Sequence, residues 1–385
     1  MDADVLVVGL GSMGSMALWR LAARGVKVVG FDRFHPPHAM GSHHGGSRII
    51  RTAYYEGPGY VPLARRSFEL WRELARESGS ELLTMTGGLH MGPPDSPEFA
   101  GALLSAREHG VAHQVLDAEE VGRRFPQHAL RPGELGLLEE EAGYLLPEDA
   151  IAAALRRAAA LGAEAHFDAP VESVAPISGG VSVRAGGRTW RAPHAVVATG
   201  AWNSKLRLPG LDVPLRVVRQ SQAWFRTSRP ALHHPSRAPI FVRHVGEMVP
   251  GTEFAYGFPS LDGRTVKVGV FETEEPVVDP DTVDRTPAPE DWDAVSSFVR
   301  AAMPDLDPEP ERVAVCLQEF TPDAHFVVGP LAAAPAITAL VGFSGHGFKF
   351  ASALGEAAAD FATRGSTDVA VGHLAAARFA TGGRV

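Results

Sequence analysis

Residues 5–8, Val-Leu-Val-Val, form a short apolar run that leads without a spacer into Gly9-Leu10-Gly11-Ser12-Met13-Gly14. A run of that length and uniformity predicts a strand of a parallel sheet, buried on both faces. A helical stretch with Met16, Leu18, Trp19 and Leu21 follows, and Gly25 supplies its stop. Val26 to Phe31 reads as a second strand ending at Asp32, 23 residues beyond Gly9. The glycines allow a tight turn and let a pyrophosphate approach the backbone at the positive end of a helix. An acid at this distance accepts hydrogen bonds from an adenosine ribose. Gly9, Gly11, Gly14 and Asp32 are therefore candidate cofactor residues. The motif alone does not separate FAD from NAD, and a strand-turn-helix that needs small residues only for packing would share its glycines.

The continuation favours FAD. A nicotinamide dehydrogenase usually completes a contiguous series of βα units, whereas residues 41–51, Gly-Ser-His-His-Gly-Gly-Ser-Arg-Ile-Ile-Arg, open as a polar, glycine-rich loop. A helix is expected from about Tyr60 to Glu77, with Leu63, Ser67, Leu70, Trp71 and Leu74 on one face, and residues 86–140 read as short strands and loops. Nucleotide-domain character returns with a helix near 148–161 and a strand at 195–198 that runs into Thr199-Gly200.

Between about 213 and 312 the pattern becomes that of an antiparallel sheet. Residues 254–258 and 265–271 alternate around a turn containing Asp262-Gly263, a hairpin signal. Period two places Val266, Val268 and Val270 on one face and Lys267 with Phe271 on the other, toward solvent or a cavity. Lys267 is one of only four lysines in a chain that otherwise uses arginine. Residues 313–318 read as a strand with the single cysteine, Cys316, on the face of Ala314 and Gln318. A last strand at 336–341 enters Gly342-Phe343-Ser344-Gly345-His346-Gly347-Phe348-Lys349 and then a helix. That second glycine-rich turn aims backbone amides at something negative, or needs glycine only for its dihedral angles.

Composition narrows the classes. The 385 residues include 36 Lys and Arg against 45 Asp and Glu, a net charge of -9, with no basic block able to track a phosphate backbone. No nucleic-acid partner is expected. No apolar run approaches the ~20 residues of a membrane span, and the acidic N-terminus is unlike a signal peptide, so a cytoplasmic protein without membrane contact is expected. One cysteine excludes an internal disulfide and a cysteine-cluster metal site, and no metal is assigned.

With these segments in place, the chain resembles the monomeric sarcosine oxidase and N-methyltryptophan oxidase family, FAD-dependent amine oxidases of the D-amino-acid-oxidase fold group. The resemblance runs from the Gly9 loop to the C-terminal helix. It is most specific at residues 41–51, at Tyr256-Gly257-Phe258-Pro259-Ser260, at Cys316 and at residues 342–349. It implies an α/β fold in which a Rossmann-like FAD-binding domain (1–85, 141–212 and 313–385) is interleaved with an antiparallel-sheet substrate domain (86–140 and 213–312).

The resemblance also implies roles. Cys316 stands where the family bonds sulfur to the flavin 8α-methyl carbon, and His43, Gly345 and Gly347 fall among the cofactor contacts. Arg51 and Lys349 match the pair that holds the substrate carboxylate. Lys267 matches the oxygen-activating lysine, while His44, Arg48, His346 and Tyr256 resemble residues around the flavin ring and substrate. The implied reaction moves a hydride from the carbon beside the amine nitrogen to flavin N5. Oxygen then reoxidises the cofactor, giving an imine and hydrogen peroxide, with a small amino acid and oxygen as partners of a monomer. The chain departs from the pattern at Phe271, where members acting on sarcosine carry a histidine. Phenylalanine neither titrates nor donates a hydrogen bond, so the expected substrate is a bulkier N-methyl or a cyclic secondary amino acid. A flavin dehydrogenase using another acceptor, and a nucleotide-binding protein without catalysis, remain as alternatives.

Overall fold

The computed structural model of the chain describes residues 1–272, 276–277 and 279–379. Val5–Val8 is buried at every position and pairs in parallel with Val28–Phe31 on one side and His194–Val197 on the other. A strand enclosed in this way has no polar face to supply, which is why the run is apolar throughout. The sheet extends outward through Glu164–His166 at one edge. At the other it continues through Ala334–Val341 to an antiparallel edge strand, Val327–Leu331. The helices Ser12–Ala22, Pro147–Ala160 and Ala351–Arg364 cover one face, with Val61–Ser78 packed outside them. The expected stripe Leu63, Ser67, Leu70, Trp71 and Leu74 is the buried face of that outer helix. A three-stranded meander from Val171 to Ala192 covers the other face through Val174, Val181, Val183 and Trp190.

The second body is an eight-stranded sheet in the order Leu306–Phe320, Arg216–Thr227, Thr265–Glu272, Thr252–Gly257, Ile240–His244, Gly88–Gly92, Leu135–Glu139 and His113–Leu116. One face carries Ala223, Phe225, Val266 and Val268 against the helix Asp293–Ala302, closing an apolar core. The opposite face carries Gln220, Gln222, Lys267, Phe271, Gln318 and Phe320. The expected alternation of Val266 and Val268 against Lys267 therefore holds.

Three features differ from the sequence reading. The sheet is antiparallel except where Ile240–His244 runs parallel to Gly88–Gly92, because strands about 150 residues apart carry no local signal of relative direction. Residues 86–140 contain two helices as well as strands, Pro97–Glu108 and Ala118–Arg124. Their alanine and glycine content blurs the helical period. Finally, Leu306–Phe320 pairs with Arg216–Thr227 along most of its length, so the expected boundary at 312/313 falls inside one strand. A small sheet of Arg48–Arg51, Ala142–Leu145 and Leu83–Met85 lies between the two bodies and carries both arginines of the 41–51 segment.

Candidate active site

Two cavities open beside each other between the bodies. The first is a long cleft that starts at the Gly9 turn and Asp32, passes Ser42, His43 and Arg48, and ends at Gly345 and Gly347. The second, about 220 Å³, is walled by Arg51, Glu56, Phe254, Tyr256, Phe271 and Lys349, among others. They share Arg48, Gln318, Ser344, Gly345 and Phe348, so one wall serves both.

The cleft is built by its glycines. Gly9 has φ +85°, and a Cβ there would lie 2.4 Å from the Ala198 carbonyl oxygen. A Cβ on Gly14 would lie 1.7 Å from the Gly9 oxygen, so Gly14 sits behind the wall and lets the helix close on the turn. Gly11 is different: an added Cβ would meet only the His43 ring, at 3.8 Å, and its backbone faces the open cleft. The helix Ser12–Ala22 begins here with no acidic side chain in its first turn, leaving its positive end available to an anion. Asp32 accepts from the Leu10 amide at 2.7 Å and the Phe34 amide at 2.8 Å, which ties the turn to the second strand. Each carboxylate oxygen keeps further acceptor capacity. His43 is buried, burial above all pushes its pKa down to about 3, and its Nε2 has no partner among the described residues.

Arg48 donates to three carbonyls, of Ser47 (2.7 Å), Ser42 (2.6 Å) and His44 (2.7 Å), and to Gln222 Oε1 at 3.2 Å. His44, Lys267 and Cys316 stand one layer behind the cavity walls. His44 Nε2 contacts the Val315 carbonyl at 3.0 Å, and burial followed by Arg48 lowers its pKa to about 4. Lys267 Nζ donates to the carbonyls of Gly45 and Ser47, both at 2.9 Å, and lies over the rings of Phe258 and Trp224. Burial and then Arg48 hold its pKa well below the usual lysine value. Cys316 Sγ receives the side-chain amides of Gln222 (3.6 Å) and Gln318 (3.8 Å), two residues of the second cavity's wall. The Gly45 and Gly46 amides donate to Glu148, at the start of the helix Pro147–Ala160.

At the inner end of the second cavity, Arg51 is 3% exposed. It donates to the Ala53 carbonyl at 3.0 Å and to Glu56 Oε2 at 2.6 Å, with its guanidinium over the Tyr54 and Tyr55 rings. Burial alone would raise the Glu56 pKa, but Arg51, His346 and Lys349 outweigh it and bring it to about 2. Lys349 is fixed by its own main chain, whose carbonyl accepts from Trp71 Nε1 of the outer helix at 2.8 Å. Its Nζ donates to the His346 carbonyl (2.8 Å) and the Tyr54 hydroxyl (3.3 Å), and burial, then Arg51, lowers its pKa to about 7. His346 Nε2 lies 3.0 Å from the Ala324 carbonyl and therefore carries the proton, leaving Nδ1 to accept from Tyr54 at 2.6 Å. Burial lowers the His346 pKa to about 4.

The outer part of this cavity is aromatic. Phe271 stacks on Phe254 with ring centroids 5.2 Å apart and planes 4° from parallel, and it meets Phe320 at 5.7 Å. Tyr256 also lines the cavity, and burial first of all pushes its hydroxyl pKa up to about 12.

Of the residues singled out from the sequence, Gly9, Gly11, Asp32, His43, Arg48, Gly345 and Gly347 line the cleft. Arg48, Arg51, Tyr256, Phe271, Gly345, His346 and Lys349 line the second cavity. Sequence reasoning missed Tyr54, Tyr55, Glu56, Gln222 and Gln318. The first three lie three to five residues after Arg51, and their proximity to it was the available signal. The two glutamines become informative only through strand register, which sets Gln222 opposite Ala314, two residues before Cys316, and Gln318 opposite Val218.

A dinucleotide cleft opening through a shared wall onto a cavity with two cations at its inner end defines a flavin-type oxidoreductase. The chain matches the family of FAD dependent oxidoreductases over residues 4–361. It is 41% identical to monomeric sarcosine oxidase of Streptomyces avermitilis, with 96% of each chain covered. It is 33% identical to N-methyl-L-tryptophan oxidase of Citrobacter koseri, over 94% of this chain and 95% of that one. Among solved structures it superposes on NikD, an amino acid oxidase essential for nikkomycin biosynthesis, with TM-score 0.85, 26% identity and 97% of each chain covered. The chain belongs to the FAD-dependent oxidoreductase family and is an enzyme of that class. FAD fits the cleft on two observations: Gly11 lines it as bare backbone with only the His43 ring near, and the buried His43 Nε2 has no partner among the described residues.

Proposed function

We propose that the protein oxidises a secondary amino acid, N-methylated or cyclic and bulkier than sarcosine, to the corresponding imine, with oxygen as electron acceptor and hydrogen peroxide as second product. The observation that supports this reading is the shared wall: the cleft from the Gly9 turn and the cavity lined by Arg51 and Lys349 meet at the same few residues. Gly9, Gly11, Asp32, His43, Gly345 and Gly347 would hold FAD, with Cys316 as its covalent anchor. When bound, FAD supplies the two-electron acceptor.

The protein's own residues do the rest. A guanidinium fork and an ammonium suit a carboxylate, and an incoming substrate shares Arg51 with Glu56, whose ionised carboxylate already occupies one side of it. Arg48 and Arg51 put positive charge around the cavity, joined by Lys349 below about pH 7, which favours the neutral amine that oxidation requires. Tyr55, Phe254, Phe271 and Phe320 surround the remaining apolar bulk and exclude water. Lys267, whose amine donates to main-chain carbonyls and packs over the Phe258 and Trp224 rings, is held in one place and suits the stabilising of reduced oxygen species when it takes up a proton.

The test compares kcat/KM for sarcosine, N-methyltryptophan, pipecolate and proline, with hydrogen peroxide measured against imine. We expect sarcosine to be the poorest of the four and peroxide to form one for one. A clear preference for sarcosine overturns the substrate reading, and imine without peroxide overturns the oxidase reading.

A further inference from the structure

Behind Arg51 lies a buried acid and histidine that the reaction above does not use. Glu139 ends the strand Leu135–Glu139, and His90 lies on the neighbouring strand Gly88–Gly92; both are 0% exposed. His90 Nε2 lies 3.0 Å from Glu139 Oε1. The other oxygen, Oε2, accepts from two successive amides, Thr52 at 3.0 Å and Ala53 at 2.8 Å. The Ala53 carbonyl in turn accepts from Arg51 Nη1 at 3.0 Å. His90 Nδ1 is buried and has no partner among the described residues, so the ring proton belongs on Nε2, directed at Glu139. A path therefore runs from the eight-stranded sheet, through the main-chain N–H and carbonyl of Ala53, to the guanidinium.

We propose that Glu139, itself oriented by His90, is a positioning residue that fixes Arg51 for carboxylate recognition. The proposal rests on the reading of Arg51 as a carboxylate anchor. Two amides converging on one oxygen hold the turn after Arg51 in a single conformation, and that turn supplies the acceptor that aims the fork. Glutamine at 139 has nearly the same shape, but its amide nitrogen would face the His90 N–H. Relieving that clash moves the ring proton to Nδ1, which has no acceptor among the described residues.

The experiment uses the holoenzyme and two ligands that cannot be oxidised, cyclopentanecarboxylate and cyclopentanecarboxamide, with binding followed by perturbation of flavin absorbance. The wild-type protein should bind the carboxylate more tightly. In Glu139→Gln the carboxylate should lose about tenfold in affinity while the carboxamide is unchanged, and KM should rise with kcat nearly constant. His90→Phe should behave likewise, whereas His90→Gln, whose amide nitrogen can take the place of Nε2, should restore carboxylate binding. The His90 pair carries the test if Glu139→Gln does not fold. Unchanged carboxylate affinity in Glu139→Gln and His90→Phe, or equal weakening of both ligands, overturns the proposal. A wild-type protein that does not distinguish the two ligands overturns the Arg51 anchor, and this inference with it.

Discussion

Lys349 is the residue whose charge most directly sets how the cavity treats an anion. Burial and the neighbouring Arg51 lower its pKa to about 7, whereas Arg51 stays charged throughout the working range. Below that value two cations face a carboxylate; above it the ammonium is lost and Arg51 acts alone. Affinity for a carboxylate ligand without an amine should therefore fall as pH rises from about 6 to 8.5, with its midpoint near the Lys349 value, raised somewhat by the ligand's own charge. Titrating cyclopentanecarboxylate binding across that range checks this, and Lys349→Met should flatten the curve. Arg51→Gln should cost more, about 10- to 100-fold in kcat/KM for an amino-acid substrate, since a charge-assisted pair is removed and Glu56 is left beside the site. At this scale the sequence was informative wherever a residue type is chemically unusual. The lone cysteine, the sparse lysines and the paired arginines of the 41–51 segment all stood out. Glu56 and Glu139 did not, because an acid in a turn and an acid at a strand end look like solvated surface until burial is known.

Single rings from three strands make the apolar wall: Phe254 on Thr252–Gly257, Phe271 on Thr265–Glu272 and Phe320 on Leu306–Phe320. Phe271 lies between the other two, so removing it opens the wall on both sides. Phe271→Ala should lower kcat/KM for the bulky substrate by about tenfold, from roughly half the ~3 kcal/mol that full burial of such a side chain is worth. It should leave sarcosine nearly unaffected, and steady-state kinetics with both substrates separates the two effects. A loss shared equally by both substrates would mean that the ring supports the sheet instead of contacting substrate. Period two made the Lys267–Phe271 face legible, because strand alternation is local. The partner strand at 306–320 was only partly legible. Its first half, Leu-Asp-Pro-Glu-Pro-Glu-Arg, carries two prolines and four charges and resembles a loop. It is extended because Arg216–Thr227 supplies the pairing, with register shifts near Phe225 where Pro310 cannot donate. The direction of Ile240–His244 against Gly88–Gly92 is likewise a tertiary fact with no local signature.

On the scale of the whole molecule, both bodies contribute to the cofactor cleft. The six-stranded sheet supplies the Gly9 turn and Asp32, and the eight-stranded sheet supplies Leu317, Gln318 and Glu319 from a single strand. Glu319 shows how closely the two are joined. It is buried, accepts both contacts of the Asn203 side-chain amide (2.8 and 3.1 Å) and the Gly342 amide (2.8 Å), and burial raises its pKa to about 7. A ligand that touches both bodies stabilises the folded state of both at once, by RT ln(1 + [L]/Kd). Cys316→Ser tests the covalent anchor proposed for this cysteine. Flavin should then leave the acid-denatured variant with the supernatant, where the wild-type pellet stays yellow, and the native variant can be depleted of FAD by dialysis. Adding FAD back at a hundredfold excess over its Kd contributes about 2.7 kcal/mol. With an unfolding entropy near 2.1 cal/mol/K per residue, that moves the midpoint of a chain this long up by about 3 °C. Calorimetry should show one transition shifting as a unit. Two transitions, only one of which responds to FAD, would mean that the cleft belongs energetically to the six-stranded body alone, and that the strand Leu306–Phe320 does not couple the two.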